Sequence, residues 1–503
     1  MNVTVINYQD DSSPLRPVDQ EVIQPLLDSP IMSHLNFSKS EELEKVFSIA
    51  SQTPLENGTV LIQMEGGRLA FVDEEKIIFT NSENSFASGA FAQMHFAVVV
   101  DRETQTIDET STLFRRTVDM GIVPSHKLEM FQHSYETEAL SQTSRDYEMR
   151  SSLKGTPNIQ EPPKKVMVLT GTGAGQIGSL EKNYQMEWGD YVQDGEFTED
   201  QKKSQIEDVV RGYGGCSAKE IIVSDVKPDN CLVDENGTVF VSDLGGARTE
   251  FELGVKFKTA HTVMTQEGGD PTVKEKVFKD LVGTRNMAFS RDAETYSLLE
   301  NCVISQDYDT FRQIIEKSDV HAMGVSFVYL YLEDKKIEGE SLFSCVVHSN
   351  DPEYENKDVN VQSVVSEDLT ATEAQQKYKE LVEKQVIPMM QETFLELGFE
   401  EAQAALLSKT VHPEMAQVPT MLEVYEALGN ELESVNFSMK DVIDFASRNQ
   451  CKTLEETITK YQEKKGIKKR EGVEKAFKKP FLAEADCEAA FKRELTAKNQ
   501  GLT

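Results

Sequence analysis

Positive charge is scarce in this chain of 503 residues: 52 Lys and Arg stand against 86 Asp and Glu, a formal net charge of -34. A surface of that sign repels a duplex phosphate backbone, so no nucleic-acid partner is expected and a basic protein substrate fits better. Cysteine is sparse as well, with Cys216, Cys231, Cys302, Cys345, Cys451 and Cys487 scattered without CxxC spacing. That excludes a zinc-ribbon or disulfide framework and suits a reducing, cytoplasmic compartment. The eight histidines show no HExxH-type ligand spacing. No apolar run approaches the roughly 18 residues needed to cross a bilayer, so no transmembrane segment is expected. The opening MNVTVINYQDDSSPLRPVDQE lacks a basic region followed by an apolar one, and no secretory signal peptide is expected. One local reversal of charge, the run from Lys460 to Lys479 with Lys464, Lys465, Lys468, Lys469, Arg470, Lys478 and Lys479, reads as a solvated helix face or as a contact for a protein partner or anionic lipid.

Residues 1–70 read as a polar extension with a helix signal where Ser38 and Glu41 have capping-box spacing. From there to about residue 190 strands dominate: KIIFT and HFAVVV flank the small-residue segment NSFASGAFAQ, and VMVLT and YQMEW follow. DRETQTIDETSTLFRR is polar and aperiodic, which predicts an inserted loop before a strand near Lys127, with a helix around 141–154. Beyond residue 190 helices prevail, the first capped by Thr198. The exception is the pair NCLV and TVFV, joined at Asp234 to Gly237, where Asn236-Gly237 predicts a tight hairpin. Stretches near 265–315 and 349–375 read as insertions.

The chemistry concentrates in IIVSDVKPDNCLVDENGTVFVSDLGGA, residues 221–247. A hairpin returns its ends to one place, so Asp243 comes back toward Asp225, Lys227 and Asn230. Magnesium takes hard oxygen ligands and few from protein, which suits Asn230 and Asp243. Asp225 is then available to accept a proton from a substrate hydroxyl, and the Lys227 ammonium to offset charge on a transferred phosphoryl group. A hairpin carrying ordinary surface Asp and Asn residues is the bland alternative.

Those residues resemble the eukaryotic-like protein serine/threonine kinase family, whose catalytic loop reads H-R-D-x-K-x-x-N and whose metal loop reads D-F-G. The resemblance implies ATP and Mg2+ as cofactors and an α+β, bilobal, protein-kinase-like fold. Its small β-rich N-lobe would be residues 71–190 and its larger helical C-lobe 191–435, with extensions 1–70 and 436–503. It further implies catalytic Asp225 and Lys227, metal ligands Asn230 and Asp243, and Asp319 of SDVHAMGVSFVYLYL bracing the catalytic loop. HPEMAQVPTMLEVYEAL resembles the late C-lobe helix pair. In the N-lobe, SFASGAFAQM resembles the phosphate-covering loop with Gly89 at its middle glycine. Lys127 stands for the ATP-anchoring lysine, Glu148 for its helix partner with Glu138 as the alternative, and Glu187 and Trp188 for the adenine-contacting hinge. A kinase-like scaffold without activity, and a kinase-fold enzyme with a non-protein substrate, remain alternatives. The divergent N-lobe and appended helices also resemble secreted bacterial effector kinases that reach a host-cell cytosol by a non-classical route.

VMVLT followed by Gly173, Gly175 and Gly178 matches the dinucleotide-binding fingerprint, but no helix pattern follows, and a glycine-rich turn between strands is the preferred reading. Departures from the kinase pattern are Val223 for His, Ser224 for the Arg that senses a phosphorylated activation loop, Leu244 for Phe, and Ser290 with Gln417 for an ion pair. Ser224 predicts activity without activation-loop phosphorylation.

Overall fold

Apolar runs without polar alternation, such as KIIFT and HFAVVV, belong to strands buried on both faces. The computed structural model of the chain uses them that way. It describes residues 2–7, 20–52, 58–88, 92–104, 106–117, 135–169, 176–282, 293–332, 334–337, 340–346, 371–483 and 486–500. The chain divides into two units, Met1–Ser151 with Glu161–Asn183, and Ser152–Gln160 with Tyr184–Thr503. The architecture is mixed α+β, a mainly antiparallel sheet in the first unit and a larger helical second one.

The first unit runs β1 (Asn2–Asn7), α1 (Gln20–Asp28), α2 (Pro30–His34), α3 (Ser40–Gln52), β2 (Gly58–Gln63), β3 (Arg68–Val72), β4 (Lys76–Ser88), β5 (Ala92–Asp101), β6 (Ile107–Thr117), α4 (Tyr135–Ser152), β7 (Lys165–Leu169) and β8 (Gln176–Lys182). The strands form one sheet in the order β1-β2-β3-β4-β5-β6-β8-β7, antiparallel except for the parallel β1–β2 pair. Val60, Ile62, Ala70, Val72, Ile77, Phe79, Val98 and Val100 share a core with Ile23, Leu26, Met32, Leu35, Phe37, Leu43, Val46 and Ile49 of the N-terminal helices and the turn after them. Leu61, Phe71, Ile78, Ala97, Val99 and Leu180 form a separate cluster. Residues 1–70 are therefore not an appendage: they add three strands and helices that bury one set of the sheet's side chains. Arg68 ties β3 to Glu42 of α3 at 2.5 Å.

One expectation changes here, and the preferred reading of the glycine-rich stretch holds. DRETQTIDETSTLFRR contains a strand, β6, paired with both β5 and β8. β5 is thus paired on both edges, with β4 and β6, and Lys127 lies outside the described residues. The glycine-rich fingerprint joins two antiparallel strands, with Leu169 opposite Gln176 and Gly178 inside β8, so it is not a strand-to-helix turn.

The second unit contains β9 (Met186–Glu187), α5 (Trp188–Asp194), α6 (Glu199–Ala218), β10 (Ile221–Ile222), β11 (Cys231–Val233), β12 (Val239–Val241), β13 (Arg248–Thr249), α7 (Glu250–Thr265), α8 (Pro271–Val282), α9 (Ala293–Ile304), α10 (Tyr308–Tyr331), β14 (Lys336–Ile337), β15 (Glu340–Ser341), α11 (Leu342–Val346), α12 (Ala371–Leu381), α13 (Ile387–Glu396), α14 (Glu401–Ser408), α15 (Met421–Ala427), α16 (Met439–Arg448), α17 (Leu454–Lys465), α18 (Arg470–Lys478) and α19 (Cys487–Asn499). Thr198 caps α6 through a capping box with Gln201, as its sequence predicts. Glycine costs a helix interior about 1 kcal/mol each relative to alanine, yet α6 carries three in RGYGGCSA. A Cβ at Gly212 would stand 2.6 Å from the Asn158 carbonyl oxygen, and one at Gly214 2.2 Å from the Tyr425 ring. The glycines let α6 lie against the Pro157-Asn158-Ile159 turn and α15.

Described residues of the stretch near 265–315 contribute to a core. Leu253, Phe257, Leu281, Val282, Leu299, Val303, Phe311 and Ile315 form a single cluster across α7, α8, α9 and α10. HPEMAQVPTMLEVYEAL supplies one helix, α15, capped by Thr420 and Glu423, in place of the expected pair.

Candidate functional site

Strands β11 and β12 pair antiparallel from Cys231–Val241 to Val233–Val239. Their turn differs from the expected one. Gly237 has φ +79° but Asn236 does not enter the left-handed region, and the Asp234 carboxylate accepts from the Asn236 and Thr238 amides at 2.9 and 3.0 Å. The turn is thus built on an aspartate loop with one left-handed glycine. Its consequence for the site is unchanged, because residues 230 and 242 meet at the other end: the Ser242 amide and hydroxyl both donate to the Asn230 carbonyl, at 2.8 and 2.9 Å.

Asn230 is buried and its side-chain amide donates to the Asp225 carbonyl at 2.7 Å and to Asp225 Oδ2 at 2.9 Å. Lys227 Nζ lies 3.0 Å from the same Oδ2. Burial pulls the Lys227 ammonium down, but Asp225, Asp229 and Asp243 together outweigh it and hold its pKa above the usual lysine value. Lys227 therefore stays a cation through the physiological range. Asp243 begins a short 3-10 turn, Leu244–Gly246, with φ 48° and ψ 63°. Left-handed backbone at a non-glycine residue is uncommon and gathers at functional sites; Ser224 (φ 70°) and Glu220 (φ 58°), just ahead of Asp225, share it.

Asp319 of α10 fixes the loop ahead of Asp225. Its Oδ2 accepts from the Val223 amide at 2.9 Å and from the Ser224 amide at 3.2 Å. A buried carboxylate satisfied by backbone amides is a strong, directional brace. It also holds the Ser224 amide while that residue's backbone is left-handed.

The expected hinge pair separates. Glu187 pairs through its backbone with Leu232 of β11, and its carboxyl is pushed up by burial, then by Asp229 and Asp190, against the pull of Lys227. It belongs electrostatically to the Asp225 cluster. Trp188 is 1% exposed, and its indole N–H donates to Gln205 at 3.1 Å and to the Tyr331 hydroxyl at 3.2 Å. An indole sealed in the helical unit is a core residue and offers no face to a nucleotide.

In the first unit, Gly89 lies outside the described residues, between strands paired out to Ser88 and Gln93, and Glu138 lies on α4. Glu148 is exposed on α4, whereas Asp146, Tyr147 and Arg150 are buried. The Arg150 guanidinium, 0% exposed, meets Asp146 at 2.7 Å and Glu181 of β8 at 3.0 Å. The Ser179 hydroxyl donates to Glu181 at 2.6 Å and accepts from Tyr147 at 2.7 Å. The carboxylates that α4 and β8 bury are thus Asp146 and Glu181, not Glu148. The i, i+4 spacing of Asp146 and Arg150 was the available signal for that helix face.

Much of the basic C-terminal run is paired within the chain: Lys464 with Glu220 and Glu250, Lys465 with Glu316, Arg470 with Glu455, and Lys478 with Glu474. Among the described residues no group of three or more His, Cys, Asp or Glu forms a metal cage, and no helix is long and apolar enough to cross a membrane.

No protein-family model matches the chain. A partial similarity joins it to cyclin-dependent kinase F-1 of Oryza sativa subsp. japonica, 32% identical over 95 residues, which is 19% of this chain and 19% of that protein. The chain spans about a fifth of the length of that relative, and the similarity indicates a protein kinase relationship at most.

Proposed function

We propose that the chain is a magnesium- and ATP-dependent protein serine/threonine kinase. The observation that carries this reading is the joined set Asp225, Lys227 and Asn230, braced by Asp319 and connected through Ser242 to a left-handed Asp243. The partial similarity to a plant kinase supports the same class.

The donor chemistry fits Mg2+: Asn230 and Asp243 offer hard oxygens, and a magnesium site completed by phosphate and water needs no more than one or two protein carboxylates. Asn230 gives its amide hydrogens to Asp225, which leaves its carbonyl oxygen as the ligand atom. The bound ion would neutralise charge on the ATP phosphates. Asp225 orients the acceptor hydroxyl and takes its proton, and Lys227, kept charged by three carboxylates, offsets negative charge on the γ-phosphoryl group. Asp319 keeps the loop from relaxing out of its strained conformation. The negative surface fits a basic protein substrate.

Lys127 is the proposed phosphate-anchoring cation, and Lys127→Met is expected to lower kcat/KM for ATP by about 100-fold, in the range found when a charge-stabilising donor is removed; an unchanged kcat/KM would remove Lys127 from that role.

The reading itself is tested on the full chain. Calorimetry is expected to show ATP binding that requires Mg2+, and labelled ATP with a basic peptide library is expected to give phosphoserine or phosphothreonine. Phosphatase pretreatment leaves the rate unchanged. Mg2+-dependent ATP binding without transfer would favour a kinase-like scaffold, and labelled lipid or small-molecule product would favour a different substrate class.

A further inference from the structure

We propose that the C-terminal helices act as a built-in clamp on the ribbon that carries Asp225 and Asp243, with Lys464, Lys465 and Arg448 as positioning residues. The kinetic arm of this inference rests on the kinase reading; its structural arm does not.

Three carboxylates gather behind the ribbon. Glu220 precedes β10, Glu250 follows β13, and Glu316 comes from α10; all are largely buried, with side chains 6%, 9% and 12% exposed. Burial of like charges this close is unfavourable unless cations accompany them. Arg312 of α10 supplies one, 2.9 Å from Glu316 and 3.9 Å from Glu250. The others named here come from the C-terminal helices. Arg448 of α16 pairs with Glu220. Lys464 of α17 bridges Glu220 and Glu250. Lys465, itself buried, lies 3.5 Å from Glu316. Against the upward push of burial, Lys465, Lys464 and Arg312 draw the Glu250 carboxyl down to about 2, so it remains an anion. Tyr461 adds a neutral anchor from the same helix, donating to the Ala218 carbonyl at 2.5 Å.

The position of the cluster gives it leverage. Ile221 and Ile222 of β10 pair with Thr249 and Arg248 of β13, so the two strands form one short ribbon. Glu220 and Glu250 sit at its outer end, joined directly by the Glu250 amide donating to the Glu220 carbonyl at 2.8 Å. From the inner end one strand leads through Val223 and Ser224 to Asp225, and the other leads back to Asp243. Lys464 therefore closes both strands at once. Ser224 offers no guanidinium to organise the segment after the metal loop; here that segment becomes helix α7 directly, its first residue held by a lysine from more than two hundred positions downstream. A fixed lysine on a carboxylate does the ordering that a reversible phosphate would otherwise do.

The test uses the full chain with Lys464→Met and Lys464→Arg. Hydrogen exchange is expected to accelerate at least about tenfold at the Val223, Ser224, Arg248 and Thr249 amides in Lys464→Met. kcat is expected to fall by about 10- to 100-fold, the scale of a small misplacement of reacting groups, while KM for ATP moves less than about threefold. Lys464→Arg restores most of both. If Lys464→Met does not fold, the near-isosteric Glu250→Gln is read in the same way. Faster exchange confined to 454–465 with an unchanged ribbon, or a lower melting temperature with unaltered kcat at a temperature where the variant is folded, overturns the clamp. A wild-type chain that transfers no phosphate removes the kinase reading, and the exchange arm then decides the clamp alone.

Discussion

The Asp225→Asn protein is expected to bind MgATP with wild-type affinity and to transfer phosphate about 100- to 10,000-fold more slowly, the range lost with a general base. The substitution isolates one property. Asparagine has the size of aspartate and still offers an oxygen to the Asn230 amide, whose bond to the Asp225 carbonyl at 2.7 Å does not involve the altered atoms. The amides of Val223 and Ser224 stay on Asp319. What disappears is the anionic oxygen that pairs with Lys227 at 3.0 Å and is proposed to accept the hydroxyl proton. Steady-state transfer against calorimetric ATP affinity separates the outcomes. A fall in affinity equal to the fall in rate would make Asp225 part of nucleotide binding, and an unchanged rate would remove it from the chemistry.

The grouping of the central candidate residues was legible in the sequence because they are close along the chain. Asp225, Lys227, Asn230 and Asp243 lie around one hairpin, and hairpin register follows from local rules that hold even where the turn type was misjudged at Asn236. Asp319 was legible from its helix and the loop it serves. The first unit was harder to read. β6 begins IDETST, too polar to signal a strand, and it becomes one because β5 and β8 offer hydrogen-bonding edges on either side. Glu148 follows from the resemblance of its helix to the family's, but the orientation of α4 buries Asp146 and Arg150 and turns Glu148 outward. The resemblance places Trp188 at a hinge, but its burial against Gln205 and Tyr331 makes it core, which a position in a motif does not reveal. The pairing of Lys464 with Glu220 and Glu250 had no local signal at all; a basic run resembles a solvated face until its distant carboxylates are known.

Asp243 demands a more careful substitution than alanine. Its backbone sits at φ 48° and ψ 63°, a region that costs an ordinary L-residue roughly 1–2 kcal/mol but that Asp and Asn tolerate. Asp243→Ala would mix that strain with the loss of a ligand, whereas Asp243→Asn keeps shape and backbone preference and removes only the charge. Mg2+ prefers an anionic oxygen strongly over an amide carbonyl, so the Asn protein is expected to lose the Mg2+ dependence of ATP binding and at least about 100-fold in transfer rate. Its melting temperature without ligand should stay close to that of the wild type, since Ser242 continues to hold the strand to Asn230. Asp225→Asn and Asp243→Asn thus predict opposite patterns of ATP binding with similar losses of rate. That contrast is what the division into base and metal ligand requires: two variants with the same binding profile would mean that the two carboxylates share one role, and full Mg2+-dependent binding by Asp243→Asn would place the metal elsewhere.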